Sequence, residues 1–388
     1  MHRPTTRQST NDTTRTRGGF TLVELLVVMS ILLILLAMTA ATVNFTLDAE
    51  RLGAAARQVQ SALEGARDRA IYAGEPRGLR LLLNPDVTSG GFPFTVGSMV
   101  YIGAPELYSQ GTIELRRPDS LAPTGVADSP DITVVHGTNT DWDTLYRRGV
   151  LATGARIRIP AGPSGSWYTV TTDGSNELGL TTPFRARVTP TEVNQVVAFA
   201  YASGPTTYEL ELPPAVLPNQ EPILLPQGIV IDLPRSETPG VWGNATSGYT
   251  SRMDILFSPR GTVIGTPAAS GVIHLALADV TDAENNLPLV APNFSSGAAI
   301  NQGDWVTPGN GYYYRATANA GSMTAPSSWP EKTGAVVTDG TPDFTAFKKS
   351  PNRLVTLFTL TGQISTHQVY PNASDPYRYA ETGEASLQ

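Results

Sequence analysis

Residues 19–47 read GFTLVELLVVMSILLILLAMTAATVNFTL, an apolar run interrupted near its start by one acid, Glu24. From Leu25 to Leu47 there are 23 residues without a charge. At about 1.5 Å per residue a helix carries such a run roughly 34 Å, enough for the hydrocarbon core of a bilayer. A carboxylate inside it costs about 2.5–3.5 kcal/mol on insertion scales, so its presence calls for something that compensates it. Ahead of the run, residues 1–19 are polar, with Arg3, Arg7, Arg15 and Arg17 against Asp12 alone and no hydrophobic period. This is a positively charged leader rather than a folded segment. Arginines before the run and none within it predict a single pass through the inner membrane, with the N-terminus cytoplasmic and the remainder exported to the periplasm.

The run admits two readings. One is a secretory signal peptide, with its apolar region at Leu25–Leu36 and small residues Thr39, Ala40 and Ala41 suited to a signal-peptidase cut. The other is a membrane helix that carries on. Leu52, Ala55, Val59, Ala62, Leu63, Ala66 and Ala70 recur at three- and four-residue steps, while Arg57, Glu64, Arg67, Asp68 and Arg69 lie mostly off that stripe. The pattern predicts one helix over 20–72, membrane-spanning over 20–47 and amphipathic beyond. Ala73-Gly74-Glu75-Pro76 then supplies a glycine stop and a proline that cannot continue it.

Gly19-Phe20-Thr21-Leu22-Val23-Glu24 resembles the leader-processing motif of type IV pilins and type II secretion pseudopilins. The resemblance implies a 1–19 leader cut by a prepilin peptidase between Gly19 and Phe20, N-methylation of Phe20, and an assembly role for Glu24. Side-by-side packing of many such helices brings the new α-ammonium of one subunit near the Glu24 carboxylate of a neighbour. Desolvation limits the net worth of such a pair, and its main effect is on register, because an unpaired buried charge penalises wrong packings. The competing reading of Glu24 is a carboxylate that snorkels to the headgroups.

The chain as a whole has 388 residues, 40% hydrophobic and 16% charged, which is ordinary for a globular protein. A net charge of -7, with no basic cluster after residue 17, argues against a nucleic-acid partner. The absence of cysteine excludes disulfides, thiolate metal sites and cysteine nucleophiles. Thirty-six glycines and 31 prolines exceed the usual combined share of about 12% and favour strands and turns. The fold class is therefore α+β: a long N-terminal transmembrane and amphipathic helix followed by a β-rich globular domain over 73–370.

Blocks within that domain resemble the GspH/FimT family of minor pseudopilins. Ala66-Arg67-Asp68-Arg69-Ala70-Ile71 to Pro76, running into Gly78–Leu83, is similar to the family's helix end and first strand. More loosely, Leu225-Pro226-Gln227-Gly228-Ile229 resembles a later strand start, and Phe257-Ser258-Pro259-Arg260-Gly261 a hairpin. Thr361-Gly362-Gln363-Ile364 resembles the closing turn. Against the shorter ectodomains of that family, residues 84–205 and 280–351 read as insertions. Strand-like alternation in the first occurs at 98–102, 112–115, 156–159 and 167–170. The second is richer in Asn, Gly, Ser and Pro and reads as long loops, with Trp305 and Tyr312–Tyr314 packing on the body. The tail, 371–388, reads as disordered.

A search for chemistry yields little. His2, His136, His274 and His367 stand apart from one another, and no paired ligand spacing, nucleophile elbow, P-loop or dinucleotide fingerprint is present. The acids of Asp279–Asn286 offer oxygen ligands for calcium without the spacing of an EF-hand, and a solvated loop is the plainer account. Tyr101, Tyr108, Trp167 and Trp305 read as core aromatics before a recognition face. The expectation is no catalytic residue, no cofactor and no metal. The resemblance implies a subunit that acts by assembly, with other pseudopilins or pilins, the prepilin peptidase and an inner-membrane assembly platform as partners. It would support protein export across the outer membrane. The alternatives are a minor type IV pilin of a surface or DNA-uptake pilus, and a membrane-anchored binding or enzymatic ectodomain that uses a pilin-type leader.

Overall fold

A computed structural model of the chain describes residues 22–84, 94–104, 106–116, 133–147, 151, 155–172, 185–188, 205–244, 246 and 248–383. The 1–19 leader with Gly19, as well as Phe20 and Thr21, lies outside these residues, as does 384–388. The chain divides into two compact units, Met1–Arg51 and Leu52–Gln388.

In the first unit the described residues form part of one helix, Leu22–Ala73. Twelve large apolar side chains between Leu22 and Leu35 are each between 48% and 79% exposed. The Ser30 hydroxyl donates to the Val27 carbonyl at 2.8 Å, which satisfies the polar atom within the helix itself.

In the second unit the same helix continues with a different surface. Leu52, Ala55, Ala56, Val59, Ala62, Leu63, Ala66 and Ala70 are buried, as the periodicity predicts. Five of the buried positions between 55 and 66 are alanine or valine, so the backbone of the helix can approach the sheet closely. The helix ends at Ala73, and Gly74 (φ 66°) donates its N–H to the Ala70 carbonyl at 3.1 Å.

The stripe packs on a large antiparallel sheet. Its strands run in the order Val263–Ile264, Met253–Phe257, Arg77–Leu83, Thr95–Ile102, Ile229–Asp232, Val272–Asp279, Arg353–Phe358, Gln363–Gln368, with Ile223–Leu224 also paired to Thr95–Ile102. Met253, Ile255 and Phe257 face the helix and alternate with half-exposed residues, the period of a strand with one covered face. Val272–Asp279 departs from that rule because both its faces are covered. Ile273, Leu275 and Leu277 join the helix-side core, whereas Ala276 packs with Leu289 and Leu354 on the other side.

The sequence reading places 98–102 with the first insertion, yet this stretch lies at the centre of the main sheet, with Tyr101 opposite Leu79. The excursion proper leaves after it. Its described strands form a seven-stranded sheet in the order Leu107–Tyr108, Glu209–Glu211, Arg156–Ile159, Ser166–Thr172, Arg185–Val188, Thr133–Thr138, Thr112–Arg116. A small core of its own contains Ile113, Trp142, Ile157, Tyr208 and Leu210. There the Trp142 indole N–H donates to the Tyr208 hydroxyl at 2.8 Å, and that hydroxyl donates to the Gln110 carbonyl at 2.6 Å.

The second insertion, expected as loops, also holds a sheet: Trp305–Val306, Tyr312–Ala316, Phe344–Lys348 and Val336–Val337, in that order. Tyr314, Phe344 and Met323 are buried in it, and Trp329 packs against Tyr314 and Phe344. Strands of two to five residues among Gly and Pro turns carry too little periodicity to be read in advance. Residues 371–383 are folded, with a short helix at Arg378–Thr382, so the expected disorder does not apply to them.

Asp232, at the end of its strand, is 2% exposed, and its Oδ1 has no hydrogen-bond partner. Burial pushes its carboxyl up to about 6, only partly offset by the Arg235 guanidinium 3.8 Å away. The folded state therefore holds this proton more tightly than the unfolded chain does. Stability is greatest below the unfolded value near pH 4 and falls as pH rises through about 6. Asp232→Asn is expected to remove this slope and raise stability at pH 7 by about 2–3 kcal/mol, read from denaturant unfolding across pH 4–7.

Candidate functional site

Two regions carry candidate functional side chains, and they lie in different units. The first is the exposed apolar rod of the N-terminal helix. An α-helix apolar on all sides belongs in lipid or among other helices. Glu24 sits in its first turn, exposed and surrounded by Leu22, Val23, Leu25, Leu26, Val27 and Val28. A carboxylate there is favoured by the helix N-terminus. The expected cleavage pair, Gly19 and Phe20, is outside the described residues. Among the described residues no helix is long and apolar enough to cross a membrane. Side chains 36–48, which include most of the second half of the expected span, are not among those described.

The second region was not read as a site from sequence, where His274 stood as a lone histidine. His274, fully buried on the outer face of the main sheet, meets two acids far from it in the chain. Its Nε2 lies 3.9 Å from Glu237 Oε2 and 3.7 Å from Glu381 Oε1. Backbone pairing sets the first contact, since Glu237 and His274 exchange N–H···O bonds of 2.9 Å each way. The C-terminal helix sets the second: Tyr377, the residue before it, stacks on the imidazole at 4.8 Å and donates its hydroxyl to the Arg235 carbonyl at 2.7 Å. Glu381, one helical turn on, thereby comes within 3.7 Å of Nε2. On the far side of the imidazole, Nδ1 lies 2.9 Å from Thr356 Oγ1.

The electrostatics follow from this burial. Removal from water, with a smaller contribution from His367, pulls His274 down to about 4 and keeps it neutral at physiological pH. Glu237 is raised, first by partial burial and then by the neighbouring Glu381 charge. Glu237 also borders a cleft of about 600 Å³ with Ser236, Asn244 and Tyr249 on its walls. No local motif announces the cluster, because strand pairing and a returning tail bring its members together from residues 237, 274 and 381.

The remaining candidates have structural employment. Asp279 caps the helix Val280–Glu284 by accepting from the Thr281 N–H at 2.8 Å. Asp282 is buried against Lys349 Nζ at 3.0 Å and the Ser350 N–H at 3.1 Å. Two of the acids proposed for calcium are thus committed elsewhere. His367 Nε2 bonds Ser365 Oγ at 2.8 Å, and the side chain of His136 is outside those described. The aromatics do not converge on one surface. Tyr101 lies under Arg69, Trp167 under Arg156 and Arg158, and Trp305 against Phe347.

Compared with known proteins, residues 14–40 match the family described as the prokaryotic N-terminal methylation motif. The match covers the last six residues of the 1–19 leader, the Gly19–Phe20 junction and Glu24. The chain thus carries a pilin-type leader, of the kind found in type IV pilin-like and pseudopilin proteins and processed by prepilin peptidase. No match was found among curated proteins or among solved structures.

Proposed function

We propose that this chain is a minor pseudopilin of the GspH/FimT type, acting by assembly rather than by catalysis. The methylation motif at 14–40 carries the reading, because it overlaps a helix whose first turns, Glu24 apart, expose large apolar side chains all around. After cleavage at Gly19–Phe20 the helix anchors the protein in the inner membrane and packs with those of other subunits. The β-rich domain is then held in the periplasm by the buried half of the same helix, as part of a pseudopilus that supports export across the outer membrane. The same leader serves a minor type IV pilin. The net charge of -7 favours the secretion reading over a subunit that grips DNA.

Mass spectrometry of the N-terminus of the membrane-extracted protein tests this directly. A methylated Phe20 as first residue is expected. A chain beginning at Thr42 would instead mark a cleaved signal peptide and a soluble exported domain, and would end the assembly reading.

A further inference from the structure

We propose that Glu237, His274 and Glu381 form a binding site for one divalent transition-metal cation of the zinc class, which clasps the C-terminal segment to the main sheet. The three donor atoms lie within 4.8 Å of one another. A zinc ion with bonds of ~2.0–2.2 Å holds two ligands ~3.4 Å apart at the tetrahedral angle. The observed 3.7 and 3.9 Å are a few tenths longer, within the reach of a small rotation of two exposed glutamate side chains.

The imidazole points independently to a ligand. His274 is 0% exposed, and its Nε2 has no hydrogen-bond partner, the carboxylates lying beyond hydrogen-bonding distance. A buried polar atom left unpaired is costly, and this one is aimed at two acids. When Nδ1–H donates to Thr356 Oγ1, the neutral ring turns a bare lone pair toward two anions. That arrangement is repulsive until a cation enters it. Thr356 is also the partner that a metal-bound imidazole requires on its other nitrogen, fixing tautomer and ring direction. Stacking by Tyr377 restrains the ring plane, and the Tyr377 hydroxyl is itself tied to the Arg235 carbonyl.

The donor set selects the metal. One imidazole nitrogen with two carboxylates suits zinc and its neighbours, whereas calcium and magnesium prefer oxygen alone. Glu237 and Glu381 are 61% and 53% exposed, so water completes the coordination. Because Glu381 stands on the helix Arg378–Thr382, occupancy would hold that helix against strands Val272–Asp279 and Arg353–Phe358.

The test is dialysis of the untagged full chain in detergent against buffered Zn²⁺, with metal counted by mass spectrometry and Co²⁺ used as a visible-absorption probe. One zinc per chain is expected, with Co²⁺ giving the intense bands of a low-coordinate site. Glu381→Gln and Glu237→Gln keep the shape of exposed side chains and should each weaken binding at least tenfold. Thr356→Val should weaken it about 10–100-fold by freeing the ring. Zinc should also slow proteolysis within 371–388 in the native chain and leave the Glu381→Gln chain unchanged. Binding that survives both Glu→Gln changes, a preference for Ca²⁺ or Mg²⁺, or no uptake below millimolar Zn²⁺ overturns the site.

Discussion

A chain carrying Glu24→Ala is expected to be cut and methylated at Phe20 and yet to fall at least tenfold in recovery with partner subunits. The substitution removes a carboxylate whose cost at membrane depth is about 2.5–3.5 kcal/mol, so insertion of the single chain should become easier. On the proposed assembly, what is lost is the partner for an α-ammonium on the adjacent helix. If that pairing sets register, its removal leaves an uncompensated ammonium in every wrong and right packing alike, and the correct one is no longer distinguished. A tenfold loss corresponds to about 1.4 kcal/mol per interface, modest for a charge pair in apolar surroundings. Glu24→Gln, similar in shape but uncharged, should behave like the alanine variant, whereas Glu24→Asp should recover part of the yield. Co-purification equal to the native level in both uncharged variants would assign Glu24 to the headgroups and sink the pairing account. Cleavage is measured in the same samples by N-terminal mass spectrometry, which separates a processing defect from an assembly defect.

Gly362→Ala is expected to destabilise the β-rich unit by about 4–5 kcal/mol. Gly362 has φ 66°, in the left-handed region, where an alanine costs about 1–2 kcal/mol. More severely, a Cβ at this position would overlap the carbonyl oxygen of Gly261. The overlap is with backbone in a hairpin that is itself fixed, by the Ser258 N–H donating to the Thr262 carbonyl at 2.8 Å and the Val263 N–H to the Thr359 carbonyl at 2.9 Å. Relief therefore requires two turns to separate. Gly74→Ala supplies the control, because Gly74 has the same φ and open space where the methyl would go. The difference between the two variants in urea unfolding isolates the steric part. Equal losses would mean that the turn opens freely and that the close approach contributes nothing.

This pair of turns also illustrates which features a linear reading recovers. The hairpin at Phe257–Gly261 and the turn at Thr361–Gly362 stand out in sequence as glycine turns between strands, and they are turns. That they lie back to back is a fact of pairing order, which no local pattern carries. The helix was legible for the opposite reason. Its stripe from Leu52 to Ala70 repeats over five turns, and all seven positions singled out in sequence are buried. Continuity of the apolar run with that stripe likewise pointed to a single helix, and the helix is continuous from Leu22 to Ala73.

The losses have specific causes. The stretch 98–102 looked like inserted material because the shorter ectodomains of the resembled family leave no room for 84–205 as a whole, yet it pairs with Arg77–Leu83 on one side and Ile223–Leu224 on the other. The tail read as disordered because it is a chain terminus, and it is held instead by the Tyr377 ring on His274, the Tyr370–Tyr379 contact and the buried Ala380. His274 looked solitary because both its acids arrive through tertiary structure. Its strand, buried on both faces, shows no alternation that would single out an unusual neighbour.

Both large excursions leave and re-enter the main sheet at adjacent positions. The first is closed at its neck by Gly103 N–H to the Ala215 carbonyl at 2.7 Å and Leu217 N–H to the Tyr101 carbonyl at 3.0 Å. The second is bounded by Leu277 opposite Arg353. Each is thus an overgrown β-hairpin loop, and a turn of a few residues spans the gap between its two stems. Among the described residues, neither appendage contributes a side chain to the core between helix and sheet, so a scaffold that loses or exchanges one is expected to keep that core.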